Sequence, residues 1–205
     1  MSEDIPSPID LRDIKDAREW ERTALGKRPS RPDFFAAYVA QVSSHSRPIT
    51  SVLELGSGPG FLAKHLLGNI PKIRYTALDF SGAMHELARA RLGDAADRVR
   101  FIERSFKDDD WVDGLGLFDC VVTHQAVHEL RHKRYATALH ARVSTVLPKG
   151  ALYLVCDHFV GSGAMVNDQL YMTPAEQQAA LVAGGFTAPE LLKSDDQLIL
   201  YRAVR

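Results

Sequence analysis

Residues able to do chemistry cluster at three places in the 205-residue chain. The first is Glu54-Leu55-Gly56-Ser57-Gly58-Pro59-Gly60, where a hydrophobic run ends in a glycine turn and a helical pattern begins at Phe61. Glycines let the backbone turn tightly and let a ligand come close to it. A helix start offers free N–H groups to a carboxylate or phosphate. The second is Ala77-Leu78-Asp79-Phe80-Ser81, where Asp79 closes another hydrophobic run about 20 residues after the glycines. An acid there can accept hydrogen bonds from both hydroxyls of a ribose, and Phe80 can pack on an adenine ring. A plainer role for Asp79 is to cap the helix that opens at Ser81. The third is Thr123-His124-Gln125-Ala126-Val127-His128-Glu129, together with Asp157-His158 farther along.

The glycine spacing separates two cofactor classes. The dinucleotide fingerprint is G-x-G-x-x-G/A, with its third small residue three positions after the second glycine. Here that position is Phe61, too bulky for close helix–strand packing, and the third glycine is Gly60. Glu54, two residues before Gly56, would repel a pyrophosphate and suits a ligand with an ammonium group.

These clusters need a frame that brings strand ends together. Apolar runs rich in β-branched residues alternate with helical stretches from Ser51 onward. Strands are expected at 51–55, 73–79, 99–103, 118–123 and 151–156, and helices at 61–67, 81–92, 135–147 and from Thr173 to Gly184. Thr173-Pro174-Ala175-Glu176 reads as a capping box with proline at the first helical position. Runs at 190–192 and 197–204 read as a terminal strand pair. The alternation predicts an α/β fold with a doubly wound parallel sheet and one antiparallel strand from the final hairpin. Before it, apolar positions at helical spacing from Ile9 to Ala24 and after Pro32 predict an N-terminal helical extension. The expected division is 1–48 for the extension and 49–205 for the cofactor-binding domain.

The ordered set resembles class I S-adenosylmethionine-dependent methyltransferases. Glu54-Leu55-Gly56-Ser57-Gly58-Pro59-Gly60 and Ala77-Leu78-Asp79-Phe80-Ser81 resemble that family's cofactor signature. Phe118 to Val122, Val146 to Val155 and Ala180 to Phe186 resemble its fourth strand, its turn and fifth strand, and the helix end before its last hairpin. The resemblance covers Ser51 to the C-terminus. It implies a Rossmann-like seven-stranded sheet with strand 7 antiparallel, and S-adenosyl-L-methionine as cofactor. The implied cofactor residues are Glu54, Gly56, Ser57, Gly58, Gly60, Asp79, Phe80, Ser105, Phe106 and His124. Ser105 departs from the acidic or polar residue common after strand 3, although a hydroxyl can still bond the adenine edge. The Asn/Asp-Pro-Pro-aromatic motif of nucleobase-amine methylating members is replaced by Thr123-His124-Gln125-Ala126.

In open α/β sheets ligands bind beyond the carboxyl ends of the strands. The candidate catalytic residues are therefore His124, His128 and His158. One reading makes one of them a general base, oriented by Glu129 or Asp157. In another they are loop-end groups bonded to backbone. His124 and His128, four apart, would share a face if their segment is helical. His-x-x-x-His spacing can bind zinc, but Gln125 stands where the zincin glutamate would be, so no metal is expected. Arg131-His132-Lys133-Arg134 reads as a solvated basic face, and Asp108-Asp109-Asp110 as a solvated loop. The stretch from His158 to Met172 contains Gly161 and Gly163 and reads as a lid over an acceptor.

Composition excludes several classes. The chain is 45% hydrophobic and 25% charged with formal net charge -1, a globular mixture without the field that a polyanion would require. Nucleic acid is therefore disfavoured as a partner. The start, Met1-Ser2-Glu3-Asp4, lacks a secretory pattern, and no apolar run reaches a membrane span. Cys120 and Cys156, in apolar runs, read as buried thiols in a reducing cytoplasm. The expectation is a cytoplasmic monomer or homodimer methylating a small molecule at oxygen, nitrogen, sulfur or carbon. The alternatives are a protein or RNA acceptor, or a non-catalytic module that binds the cofactor.

Overall fold

A computed structural model describes residues 4–161 and 165–205; the proposed lid glycine Gly163 and Met1 to Glu3 lie outside the described residues. The strands are β1 (Ser51–Leu55), β2 (Arg74–Asp79), β3 (Val99–Glu103), β4 (Cys120–His124), β5 (Leu152–His158), β6 (Thr187–Ser194) and β7 (Leu198–Val204). The helices are α1 (Ile14–Lys27), α2 (Arg31–Ser44), α3 (Phe61–Asn69), α4 (Gly82–Leu92), α5 (Ala136–Thr145) and α6 (Pro174–Ala183). The strands form one seven-stranded sheet in the order β3-β2-β1-β4-β5-β7-β6. β1–β2, β2–β3 and β4–β5 pair in parallel, whereas β7 runs antiparallel to both β5 and β6. This is the Rossmann-like methyltransferase architecture, with the expected antiparallel strand 7. Among the described residues no helix is long and apolar enough to cross a membrane.

The chain divides into two compact units. One is Ile9–Trp111; the other comprises the described residues of Met1–Pro8 and Val112–Arg205. In the first, α1 and α2 precede β1, and α1 packs on α4 through Ala17, Met84 and Leu87, flanked by Leu11, Ile14 and Trp20. Helix α1 starts at Ile14 rather than Ile9. The Asp13 carboxylate caps it by accepting from the amides of Lys15 and Asp16, and Asp10 folds the preceding turn by accepting from Arg12. Phe34, Phe35 and Tyr38 of α2 are buried as ordinary core.

In the second unit every residue of β5 is buried, the pattern of a strand covered on both faces. β5 runs two residues beyond the expected end because β7 keeps pairing with it as far as His158 opposite Leu198. The Asp195 carboxylate accepts from the amides of Gln197 and Leu198 and so closes the β6–β7 turn. The Thr173–Glu176 capping box opens α6 as read from sequence. β6 begins at Thr187, earlier than expected, and its register slips between Thr187 and Glu190 and again between Leu191 and Lys193. Ala188 within it has φ 39°.

Candidate active site

The glycine loop is stitched to the end of β2. The amides of Gly56 and Ser57 donate to the Leu78 carbonyl at 2.9 and 3.1 Å. Gly56, Gly58 and Gly60 have φ of 64°, 51° and 78°, backbone that residues with a side chain adopt only with strain. Gly60 lies against α4: an added Cβ would stand 3.1 Å from the Cβ of Ala88 and 3.3 Å from its Cα. Gly58 is different, because an added Cβ there would meet nothing within 4 Å. The space over Gly58 is open to a ligand's approach.

The two acids beside the loop, Glu54 and Asp79, are buried. Asp79 ties the loop and turns the chain: Oδ2 accepts from the Gly58 amide at 2.8 Å and Oδ1 from the Ser81 amide at 3.0 Å. Glu54 is 2% exposed, and its Oε2 accepts from the Tyr75 hydroxyl at 2.8 Å. Burial, reinforced by the charge of Asp79 and opposed by the Tyr75 bond, pushes the Glu54 carboxyl up to about 8. No cation pairs with it among the described residues. The Ser57 hydroxyl is buried and lacks a hydrogen-bond partner among the described residues. An acid short of a cation, an unsatisfied hydroxyl and an open glycine face fit an S-adenosylmethionine molecule, with its ammonium, carboxylate and ribose.

The adenine candidates occupy the next turns. Phe80 is half-buried, and the exposed Arg12 guanidinium lies over its ring, 4.6 Å from the centroid. The Ser81 hydroxyl donates to the Leu11 carbonyl, so the segment before α1 is fastened beside Phe80. Ser105 and Phe106 follow β3 and are half-buried; the Ser105 hydroxyl accepts from the Lys107 amide at 3.2 Å. Arg104 joins the end of β3 to Asp79 through its amide, at 2.9 Å from the Asp79 carbonyl.

The second unit gathers His128 and His158 around Asp157. His128 Nδ1 lies 2.6 Å from Asp157 Oδ1, and the His128 amide donates to Asp157 Oδ2 at 2.8 Å. His128 Nε2 faces Glu129 Oε1 at 3.3 Å. Burial opposes its charge, but Asp157 and Glu129 together hold the His128 imidazolium up to about 10. Asp157 stays below the usual carboxylate range despite its burial, because His128 and His158 lie beside it. The His158 amide donates to Asp157, and its Nδ1 faces the Gln197 carbonyl at 3.2 Å, which assigns the proton to Nδ1. Nε2 then accepts from the Gln125 amide at 2.9 Å. The Tyr171 ring packs against both histidines, with centroids 5.6 and 5.7 Å away.

His124 lies at the last position of β4, in register with Cys156. It does not share a helix face with His128. Gln125 has φ 57°, which breaks the chain direction, and only Val127–Leu130 forms a short 3-10 helix. The basic run is a solvated face only in part: Arg134 is exposed and Lys133 half-buried. Arg131 and His132 are buried, and Arg131 donates from Nε to the Ile5 carbonyl and from Nη2 to the Pro6 carbonyl. Arg134 reaches Asp4 at 2.9 Å. A buried guanidinium needs acceptors, and the chain's first described residues supply them. Among the described residues no group of three or more His, Cys, Asp or Glu is arranged to hold a metal ion.

Residues 52–150 match a family model described as a methyltransferase domain. Over these residues, just under half of its length, the chain resembles the S-adenosylmethionine-dependent methyltransferases. The domain is 31% identical over 108 residues to the compactin diketide synthase of Penicillium citrinum, covering 50% of this chain and 4% of that protein. It is 46% identical over 48 residues to the malonyl-[acyl-carrier protein] O-methyltransferase of Anoxybacillus flavithermus, covering 23% of this chain and 18% of that protein. The chain thus spans under a fifth of the length of these curated relatives. An O-methyltransferase family protein from Burkholderia thailandensis superposes with TM-score 0.74 at 19% identity, over 93% of this chain and 60% of its own, and shares the fold.

Several contacts around the site had no place in the sequence reading: Tyr75 to Glu54, Arg12 over Phe80, and Gln125 as the partner of His158. Tyr75 carried a signal. It lies four residues before Asp79 on a strand, and a period of two puts both side chains on one face. The others make contacts set by chain reversals that no local pattern encodes.

Proposed function

We propose that the chain transfers a methyl group from S-adenosylmethionine to a small-molecule acceptor. The observation that carries this reading is the buried, cation-less Glu54 beside a glycine loop tied to Asp79. When bound, the cofactor supplies an activated methyl group, so the protein's task is to hold and align. Glu54 binds the ammonium. The first-turn amides of α3, from Phe61 onward, and the Ser57 hydroxyl receive the carboxylate. Asp79 accepts from the ribose hydroxyls, Phe80 and Phe106 flank the base, and Ser105 bonds its edge. The net charge of -1 supports a small acceptor over a polyanionic one.

Among the histidines, His128 is held as an imidazolium and acts by charge and position. His158 keeps a lone pair on Nε2 and is the base for an acceptor hydroxyl once Gln125 yields. His124, at the carboxyl end of β4, lines the same class of position.

Calorimetric titration with S-adenosylmethionine, S-adenosylhomocysteine and NAD tests the cofactor assignment. The two sulfur nucleosides are expected to bind; binding of NAD alone overturns it. Transfer of a labelled methyl group to a metabolite panel tests the acceptor class. With an acceptor in hand, His158→Gln is expected to lower kcat by 100-fold or more and to remove the acid limb of the pH profile. Unchanged turnover in that variant removes the base from the reading.

A further inference from the structure

Glu54 and Tyr75 share one sheet face. Val52 is opposite Tyr75 and Glu54 opposite Ala77 in the β1–β2 register, so Val52, Glu54, Tyr75, Ala77 and Asp79 all point the same way. Tyr75 lies one two-residue repeat behind Glu54, and its ring spans that step and puts the hydroxyl 2.8 Å from Oε2. Tyr75 is 1% exposed and Glu54 2%. Both groups are shut off from bulk solvent, and no cation pairs with the carboxyl among the described residues. Their bond fixes the carboxyl's orientation before any ligand arrives.

We propose that Tyr75 is a positioning residue for the cofactor's ammonium group, and that the Glu54–Tyr75 pair releases one proton to solvent as that group docks. The inference rests on the cofactor assignment above. The balance is simple: the neutral Glu54 carboxyl and the ligand's ammonium become a carboxylate–ammonium pair, and the carboxyl proton leaves to buffer. No bond of the ligand is broken.

The environment of Glu54 agrees. Burial pushes its carboxyl up to about 8, so at pH 7 it is mostly neutral without the ligand. The groups that bear on its charge among the described residues are Tyr75 and Asp79, both on β2; Asp79 disfavours ionisation and the Tyr75 bond favours it. Loss of the hydroxyl therefore moves the Glu54 titration upward. The ligand's own α-amine, titrating near 7.7–8.0, takes up a small fraction of a proton at pH 7 and cannot account for release.

The test is calorimetry of the whole chain with S-adenosylmethionine at pH 7, in phosphate and in Tris, whose ionisation heats differ. We expect net release of about half to one proton per site at pH 7, crossing zero near pH 8 and turning to net uptake above it, where the ligand's amine must gain a proton to dock. Tyr75→Phe is expected to weaken binding about 5- to 10-fold and to shift the midpoint of proton release to higher pH. A merely structural tyrosine would alter affinity and melting without moving that midpoint. Equal heats in both buffers with normal binding overturn the inference and leave the cofactor assignment standing. Absence of binding by the wild-type chain overturns the assignment and the inference with it. The two-buffer comparison needs no variant, so a poorly folding Tyr75→Phe does not shield the proposal.

Discussion

In the Ile9–Trp111 unit, the buried carboxylates Glu54 and Asp79 meet a tyrosine hydroxyl and backbone amides. In the second unit, the buried Asp157 meets a histidine ring and two backbone amides, and that ring meets a second carboxylate. In the first cluster no cation pairs with Glu54 among the described residues. The second is internally matched, anion against imidazolium. A buried acid lacking a cation stays short of its best state until a ligand completes it, whereas a matched pair strengthens the fold by itself. The first arrangement suits binding, and the second suits holding a catalytic segment still.

This contrast can be broken by mutation. Asp157→Ala is expected to have the largest effect, a loss of about 3–5 kcal/mol in urea unfolding, because it strands a buried imidazolium. The pH dependence has a defined sign. His128, raised to about 10, contributes stability that is fully present below its ordinary value of 6.5 and is lost as pH rises through 10. Asp157, held below 3.8, contributes above that value and loses its contribution as pH falls farther. Unfolding midpoints should therefore form a plateau between these limits, and the variant should lose its alkaline edge.

Glu54→Gln should act oppositely. The Glu54 carboxyl, raised from 4.5 to about 8, burdens the free protein increasingly as pH climbs through that window. The variant is expected to melt higher at pH 8.5, by about 1–3 kcal/mol, while binding S-adenosylmethionine roughly 100-fold more weakly. A variant that both melts lower and binds normally would erase the contrast between the units. The glycines sharpen it within one loop. Gly60→Ala meets both strain and Ala88, and should cost about 2 kcal/mol by denaturation. Gly58→Ala meets strain alone, and should cost about 1 kcal/mol while still blocking the ligand's approach in titration. Arg12→Ala should have the smallest effect, under about 1 kcal/mol, since its contact with Phe80 is solvent-exposed.

The sequence disclosed what local pattern can encode. The seven strands, the capping box at Thr173 and the loop from Gly56 to Gly60 follow from period, cap chemistry and glycine spacing, and the structure places them accordingly. The route from His124 to His128 was hidden because Gln125 adopts φ 57°, a conformation glutamine does not advertise. Arg131 looked solvated because a basic run usually is; its acceptors, the carbonyls of Ile5 and Pro6, lie far away in sequence. The Tyr75–Glu54 bond stood between these cases. Period two put both on inward faces, and only the register of β1 against β2 joined them.

The irregular β6 bears on how the molecule behaves when crowded. It is the last strand of the sheet, so its outer row of amides and carbonyls would offer a template for another chain's strand. Two register slips, the left-handed Ala188, Pro189 without an amide hydrogen, and Lys193 interrupt that row. No long straight stretch of unpaired backbone is left for edge-to-edge growth into fibrils. Straightening this strand would therefore invite self-association before it disturbed any residue at the carboxyl ends of β4 and β5.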